Sequence, residues 1–450
     1  MTDITMKSSQ INVESLKQIA EQAIDLAKKS GADAVEVEGH LGQGMSVNIL
    51  NQQVDSLEYD RGKEFTITVY LGKKRGSAST NDFSLSSVKR AVEAARDFAT
   101  YAAEDPYSGL PDRKELAFNA PTLELYFPWD IRAPHAIELA KACEARALSL
   151  NKSLVKSDGA GLSSYQNIYL LANSEGFLQH YASTSHEMHC SLIAEQNSEM
   201  QSESEFTCAM DPTDLWTTDA IAESANKKAI ARLGARQIPT QNLPVLFVDQ
   251  AAATFWKYLI GAAMGGNIYR RSSFLLDQLG QCILPEHISL LEKPFLYKGV
   301  GGSPFDDDGV YTREKTIIDQ GVLNTYLLST YSGRQLGLPT TGNAGGVHNI
   351  VVESKQTKPL AELIAGMTKG LIVTDTLGQG VSLVNGDYSK GMTGFYVENG
   401  EIQFPVEEVT IAGNLQAMYK GIIGVSSEQD HRYNIRTGAV LIDNMAVAGN

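Results

Sequence analysis

The amino-acid sequence predicts an α+β protein: helix plus antiparallel-sheet N-terminal units, followed by a glycine-rich, mostly β C-terminal domain. In the first half, stretches with apolar residues at helical spacing flank runs in which polar and apolar residues alternate, as they do in half-buried strands. In the last third, seven glycines punctuate short β-rich runs between Thr374 and Asn414. Together these patterns indicate two helix-and-sheet units and then a tightly turned β domain.

The glycine-rich stretch contains the strongest turn signal of the chain. Asn399-Gly400 separates two β-rich runs, and both central residues of a type I′ hairpin turn need positive φ. Gly380 and its neighbours mark a place where the backbone passes close to another strand or to a ligand. The residues leave open whether this domain contains a binding site or only tight turns.

Length and charge bound the class of protein. A chain of 450 residues exceeds one ordinary hydrophobic core, and we expect units at 1–105, 125–235 and 240–450. The net charge of −15, from 38 Lys plus Arg and 53 Asp plus Glu, argues against a nucleic-acid partner. Because the sequence shows neither a signal peptide nor an apolar run of about 18 residues, we expect a cytoplasmic protein without a membrane partner. The four scattered cysteines fit reduced thiols.

The first two predicted units share one element order of helix, strands and helix. Asn12 and Ser84 have side chains suited to capping the helices that follow them. The predicted helices span residues 13–29, 84–98, 134–150 and 214–233. The predicted strands span residues 34–38, 46–50, 54–59, 64–70, 164–171, 177–182, 185–195 and 202–209. The shared order suggests a duplication, which no sequence repeat accompanies.

For the third unit, the predicted helices span residues 250–264, 329–336 and 360–367.

The run from His186 to Cys190, with the sequence HEMHC, looks like part of a zinc motif. Its flanking residues alternate as in a strand, however. On a strand His186 and Cys190 face one side while Glu187 and His189 face the other, so these side chains do not converge on one metal ion. We therefore predict a strand here.

Three further polar features are candidates for binding. The acidic run Asp306–Asp308 lacks the ligand spacing of a calcium loop, so we predict a solvated turn. Arg270 and Arg271 follow a glycine pair and can hold a carboxylate or phosphate in bidentate geometry, with ion pairs to neighbouring acids as the equal alternative. His348, preceded by two glycines and a valine, is the best single general-base candidate, with a structural role as the alternative.

Six long motifs of the third unit resemble a known family. They are Tyr269–Asp277, Ser303–Asp306, Thr341–Asn349, Gly378–Val381, Asn385–Ser389 and Val397–Ile402. These motifs, in this order, resemble the PmbA/TldE branch of the TldD/PmbA family, also called modulators of DNA gyrase. The agreement in length and element order extends over nearly the whole chain.

The resemblance implies a peptidase function that two subunits share. The TldD branch is a zinc peptidase with a helical HExxxH pair and a cysteine ligand near its C-terminus, and it acts with a PmbA/TldE subunit on extended peptides. In this chain the corresponding helix positions are Lys257, Tyr258 and Ala262, and Cys282 is the last cysteine. We therefore expect no catalytic residue and no metal ligand in this chain, with zinc only in a TldD-like partner.

The candidate substrate-binding residues are Arg270, Arg271, His348, Asn349 and Asp387. We expect glycine-flanked strands at 345–348 and 391–394 to accept an extended peptide as an added strand. Two other functions stay open. One is an autonomous hydrolase that uses His348 and Asp387 or an unrecognised metal site, and the other is a regulatory binding protein without a link to proteolysis. A heterodimer with a TldD-like subunit and a homodimer of the isolated chain are both compatible with the sequence.

Overall fold

The structure is a computed structural model that describes residues 13–152 and 154–449. It confirms the predicted α+β class. The helices are α1 (Val13–Lys29), α2 (Leu85–Tyr101), α3 (Ala133–Leu150), α4 (Thr218–Ala231), α5 (Asp249–Ala263), α6 (Gly265–Tyr269), α7 (Thr330–Leu336), α8 (Leu360–Ala365) and α9 (Leu415–Lys420). Within the described part of the chain, no helix has the length and apolar character needed to cross a membrane.

The strands fall into one N-terminal and two C-terminal sheets. The N-terminal strands are β1 (Ala34–Leu50), β2 (Gln53–Leu71), β3 (Lys74–Thr80), β4 (Val155–Asn173), β5 (Leu178–Gln196) and β6 (Glu199–Ala209). The C-terminal strands are β7 (Gln241–Phe247), β8 (Ile288–Glu292), β9 (Lys315–Asp319), β10 (Val322–Leu323), β11 (Ile350–Ser354), β12 (Thr357–Lys358), β13 (Lys369–Leu377), β14 (Asp387–Glu398), β15 (Glu401–Asn414), β16 (Ile422–Ser426), β17 (Ile435–Arg436) and β18 (Val440–Ala448).

The six N-terminal strands form one antiparallel sheet in the order β3-β2-β1-β4-β5-β6. Three strands come from each of the first two predicted units, and the β1–β4 pairing joins them. Each unit contributes a helix, three strands and a helix in that order, so the sheet is symmetric in strand order about the β1–β4 pair. The two units therefore share one sheet.

The strands of this sheet are longer than the sequence predicts. β1 is 17 residues long and joins the predicted strands 34–38 and 46–50, and β2 likewise joins 54–59 and 64–70. The sequence analysis missed β3, whose small and polar residues give a weak strand signal but which pairs with β2 along its whole length. Hydrogen bonds from neighbouring strands thus extend β structure through segments whose own propensity is low.

Four helices cover one face of this sheet. Val35 and Val37 of β1 pack with α1 and α2, whereas Val47 and Ile49 pack with α3 and α4. Alternate residues of a strand face the same side, so all four helices lie on the same face. Ser84 caps α2 as predicted, by accepting a hydrogen bond from a backbone N–H in the first turn, whereas Asn12 lies outside the described residues.

The C-terminal domain contains a five-stranded sheet, β10-β9-β8-β11-β17, and a seven-stranded sheet, β12-β16-β18-β15-β14-β13-β7. β7 pairs with both β13 and β18, which closes part of the larger sheet into a ring. Phe255 and Trp256 of α5 are buried in one core with residues of both sheets. α5 is therefore the central helix of this domain.

The hairpin predicted at Asn399-Gly400 is confirmed. The two residues have φ values of 52° and 77°, and they join β14 to β15. The close backbone approach predicted at Gly380 is also present, because a Cβ at this position would lie 1.8 Å from the carbonyl oxygen of Ser389. The close neighbour is a strand.

The proline-rich segment 102–128 runs between the N-terminal sheet and the C-terminal domain. Arg334 of α7 donates hydrogen bonds to three of its backbone carbonyl oxygens, those of Tyr107 at 3.2 Å, Gly109 at 2.9 Å and Leu110 at 2.5 Å. Further along, Leu116 packs in a small buried cluster with residues of the N-terminal sheet and with Phe305 of the C-terminal domain. The segment is thus packed against both parts.

Candidate functional site

α5 contains the positions that the resemblance aligns with a zinc motif, and their side chains do not fit the metal. Lys257 is an exposed cation, and Ala262 offers only a buried methyl group. The Tyr258 hydroxyl accepts a hydrogen bond from Lys390 Nζ at 3.3 Å, so it faces an ammonium group. Zinc sites are built from imidazole, thiolate and carboxylate groups. Among residues 13–152 and 154–449, no group of three His, Cys, Asp or Glu side chains is placed to hold a metal ion.

A buried carboxylate organises the Thr341–Asn349 motif. Glu292 of β8 is fully buried and accepts hydrogen bonds from Lys315 Nζ at 2.5 Å, Asn343 Nδ2 at 2.9 Å and the His348 backbone N–H at 2.7 Å. The His348 ring is also buried, and its Nε2 donates to the Gly342 carbonyl oxygen at 3.3 Å. Burial lowers the pKa of His348. The glycine-rich motif is therefore a loop that an internal polar network holds in place.

Asn349 and Asp387 occupy opposite environments. Asn349 is fully buried, with its Oδ1 accepting from the Gly301 N–H at 2.9 Å and its Nδ2 donating to the Lys293 carbonyl oxygen at 3.3 Å. Asp387 is exposed at the start of β14. In the part of the chain that the structure describes, His348 and Asp387 share no hydrogen bond or ion pair. The structure does not join them as a catalytic pair.

The acidic run Asp306–Asp308 is not the solvated turn that the sequence predicts. Asp306 is only 1% exposed, and its carboxylate accepts backbone hydrogen bonds from Asp308, Val310 and Ala344 at 2.8–3.0 Å. The prediction was wrong because the turn packs under the N-terminal sheet, which the local sequence does not reveal. Burial raises the pKa of Asp306, and Asp307 remains exposed.

Arg270 and Arg271 lie at the surface just after α6. The Arg270 guanidinium donates to the Tyr269 hydroxyl at 3.2 Å and to Asn267 Oδ1 at 3.3 Å. Arg271 has a φ of 57° and lines an open cavity of about 530 Å³ together with Asp277 and apolar residues. Neither arginine forms an ion pair within the described residues. Both arginines are thus exposed, and Arg271 lies beside a cavity.

The strand predicted for His186–Cys190 is confirmed as part of β5. The His186 ring is fully buried between the Ser164 hydroxyl, 3.0 Å from Nδ1, and the Phe127 carbonyl oxygen, 3.0 Å from Nε2. It is a core histidine with both ring nitrogens hydrogen-bonded.

The two glycine-flanked segments expected to receive a peptide strand are unsuited to it. Residues 391–394 belong to β14, which pairs with β13 on one side and β15 on the other. Residues 345–348 are a loop rather than a strand, with positive φ at Gly345 and Gly346. A strand can be added only at a free sheet edge, so this prediction was wrong at both places.

The structure also contains a cavity that the sequence analysis did not identify. It has a volume of about 640 Å³ and lies between the end of β6, the segment Asp214–Trp216, the residues around Lys298, and the loop that leads into β17 and Arg436. We call it the interdomain cavity. The sequence contained one signal for this cavity, which is the charged residue Arg436 directly after the apolar residue Ile435. Residues from distant parts of the chain form the rest of its wall.

The sequence of this chain matches a known protein family over most of its length. Three consecutive segments match the PmbA/TldA metallopeptidase family: domain 1 at residues 35–99, the central domain at 126–233 and the C-terminal domain at 240–449. The metalloprotease PmbA homolog of Haemophilus influenzae is 41% identical over 437 residues, covering 97% of both chains.

Two solved structures share the fold over nearly the whole length. A proposed modulator of DNA gyrase from Bacteroides thetaiotaomicron has a TM-score of 0.91 at 24% identity, covering 96% of this chain and 99% of that one. TldE from Thermococcus kodakarensis has a TM-score of 0.80 at 20% identity, covering 96% and 100%. The name of the Haemophilus relative supports a role in proteolysis. The chain belongs to the PmbA/TldD family of metallopeptidases.

Proposed function

We propose that this chain is the subunit without zinc of a cytoplasmic, TldD/TldE-type peptidase complex that acts on extended peptides. A TldD-like partner holds the metal and performs the hydrolysis. This chain contributes to holding the substrate and has no catalytic residue of its own.

The observation that carries the proposal is the set of side chains on α5. The positions that align with the zinc motif hold a cation, a phenol hydrogen-bonded to the Lys390 ammonium, and a methyl group. Bringing a dication next to Lys257 and Lys390 is electrostatically unfavourable, and no thiolate or imidazole is available there to offset it.

We expect the purified chain to retain less than roughly 0.1 zinc per chain after exhaustive dialysis, because protein zinc sites draw about 10 kcal/mol or more from suitable ligands. Elemental analysis measures this directly. A TldD-like subunit purified in the same way is the control and should retain close to one zinc. One zinc per chain in the present protein would contradict the proposal.

Partnership is tested by mixing this chain with a TldD-like chain of the same organism. We expect the two to elute together in size-exclusion chromatography and the mixture to cleave an unfolded peptide that this chain alone leaves intact. Light scattering on the isolated chain separates monomer from homodimer. Cleavage by this chain alone, without zinc, would favour the autonomous hydrolase instead.

Arg270 and Arg271 are the proposed substrate contacts that have exposed cationic side chains. Replacing both with alanine is expected to weaken peptide turnover by the reconstituted complex, at about 1.5–3 kcal/mol per lost charged hydrogen bond. The double variant Arg61→Ala/Arg96→Ala, which removes two exposed arginines of the N-terminal part, is the matched control. Unchanged turnover in an assembled complex would remove the two arginines from the site, and failed assembly would assign them to the subunit interface.

A further inference from the structure

Arg436 differs from the other two lysine and arginine side chains of the interdomain cavity. Lys298 Nζ lies 2.8 Å from the carboxylates of both Asp211 and Asp214. Arg432 is ion-paired at 2.6 Å with Glu205 and with Asp430. The Arg436 side chain has no hydrogen bond or ion pair in residues 13–152 and 154–449, and its Nε is buried without an acceptor.

The backbone at Arg436 is held in place by its neighbours. Ile435 and Arg436 form β17, which pairs in parallel with β11. Ile435 and Thr437 on either side are buried, and the Thr437 hydroxyl accepts a hydrogen bond from Trp256 Nε1 at 2.9 Å. Arg436 lines the cavity, whereas Ile435, the preceding residue of the strand, points into the hydrophobic core on the other side. The guanidinium is thus an unpaired donor group beside the cavity.

A guanidinium fork matches the two oxygens of a carboxylate. The cavity wall also includes Asp249 and Glu428, in addition to the paired acids. These negative charges disfavour a multiply charged anion such as phosphate, whereas they tolerate a single carboxylate on a molecule whose other groups are neutral or positive. The ligand class that fits is therefore a monocarboxylate, which for a subunit of the proposed peptidase is a short peptide.

Size and wall composition agree with a peptide. The volume of about 640 Å³ lies within the range of roughly 300–1,000 Å³ that encloses a small-molecule-sized ligand. Trp216 and Tyr297 present partly exposed aromatic rings on the wall for apolar side chains. The last residues of β6, the edge strand of the N-terminal sheet, run along the same cavity.

We infer that Arg436 binds a carboxylate of a short peptide in the interdomain cavity, as a substrate or product subsite remote from Arg270 and Arg271 in sequence. The inference rests on the proposed peptidase role for its ligand class. It concerns binding by this chain alone, so it is measured without the partner and without turnover.

The test is isothermal titration of the full chain with the tetrapeptide Ala-Leu-Phe-Ala as the free acid and as the C-terminal amide. A third peptide, Ala-Leu-Asp-Ala as the amide, carries its carboxylate on a side chain. We expect the free acid to bind most tightly and Arg436→Gln to weaken it by about 10- to 150-fold, which corresponds to the loss of a charged hydrogen bond. If the side-chain carboxylate is the true ligand, the third peptide should bind most tightly and lose the same factor.

Arg96→Gln, an exposed arginine on α2, is the control and should bind like the unmodified protein. Equal binding of the free acid and both amides, unchanged binding by Arg436→Gln, or no binding at all would overturn the inference. The comparison of the three peptides uses only the unmodified protein. It therefore tests whether the cavity binds a carboxylate even if Arg436→Gln does not fold. If the peptides do not bind but the complex still cleaves peptide, the subsite is rejected and the proposed function stands. If the peptides bind as expected but the complex has no peptidase activity, the subsite stands and the proposed function is rejected.

Discussion

Replacing Glu292 with leucine is expected to lower the free energy of unfolding by about 3–5 kcal/mol, because it leaves a buried lysine without its counter-charge. Glu292 is fully buried, and the Lys315 side chain is only 11% exposed. The substitution also removes the acceptor of the Asn343 amide and of the His348 backbone N–H. Denaturant unfolding measures the change.

The double variant Glu292→Leu/Lys315→Met separates the charge from the loop contacts. Removing both charges is expected to recover part of the loss, since a buried ion pair replaced by apolar side chains of similar size is often close to neutral. The remainder is the cost of the unpaired Asn343 and His348 groups. Glu314→Leu, at an exposed neighbouring position, should change the free energy little. A loss below about 1 kcal/mol in Glu292→Leu would show that the network contributes little to stability.

The second large effect is a pH dependence that arises at Glu36. Burial, and then the negative charges of Asp308 and Glu38, raise the pKa of Glu36 to about 8, against a partial opposing effect of Arg75. An unfolded chain releases this proton near its ordinary pKa of about 4.3. Between these two values the folded protein holds more protons than the unfolded chain, so the free energy of unfolding falls as pH rises.

Glu36→Gln is expected to remove this contribution. The difference in unfolding free energy between the variant and the unmodified protein should grow by at most about 1.4 kcal/mol per pH unit between roughly pH 4.5 and 8, and level off above that. Denaturant unfolding of both proteins at several pH values gives this difference. Glu38 and Asp307 also have raised pKa values, but they are present in both proteins, so a contribution that is independent of Glu36 cancels in the difference. Glu58→Gln, at an exposed position of β2, should show no such trend. A pH-independent difference for Glu36→Gln would show that this carboxyl titrates normally.

The sequence by itself determined features that depend on neighbouring residues. Helical spacing located α1 and α5 to within a residue or so, the alternation around His186 predicted a strand, and Asn399-Gly400 specified a turn with two positive φ values. It also identified Lys257, Tyr258 and Ala262 as the residues at the α5 positions that the resemblance aligns with a zinc motif. Such features follow from backbone sterics and side-chain periodicity within a few residues.

Only the tertiary structure decided features that depend on contacts between distant segments. β1 continues through its glycines because β2 and β4 hydrogen-bond to it on both sides, and Asp306 is buried because the chain folds the turn under another sheet. Arg436 became a candidate ligand-binding residue only once β6, the Lys298 segment and β17 were seen to enclose one cavity. The local sequence does not encode burial and enclosure of this kind, because they depend on segments that lie far apart in the chain, such as β6 and β17.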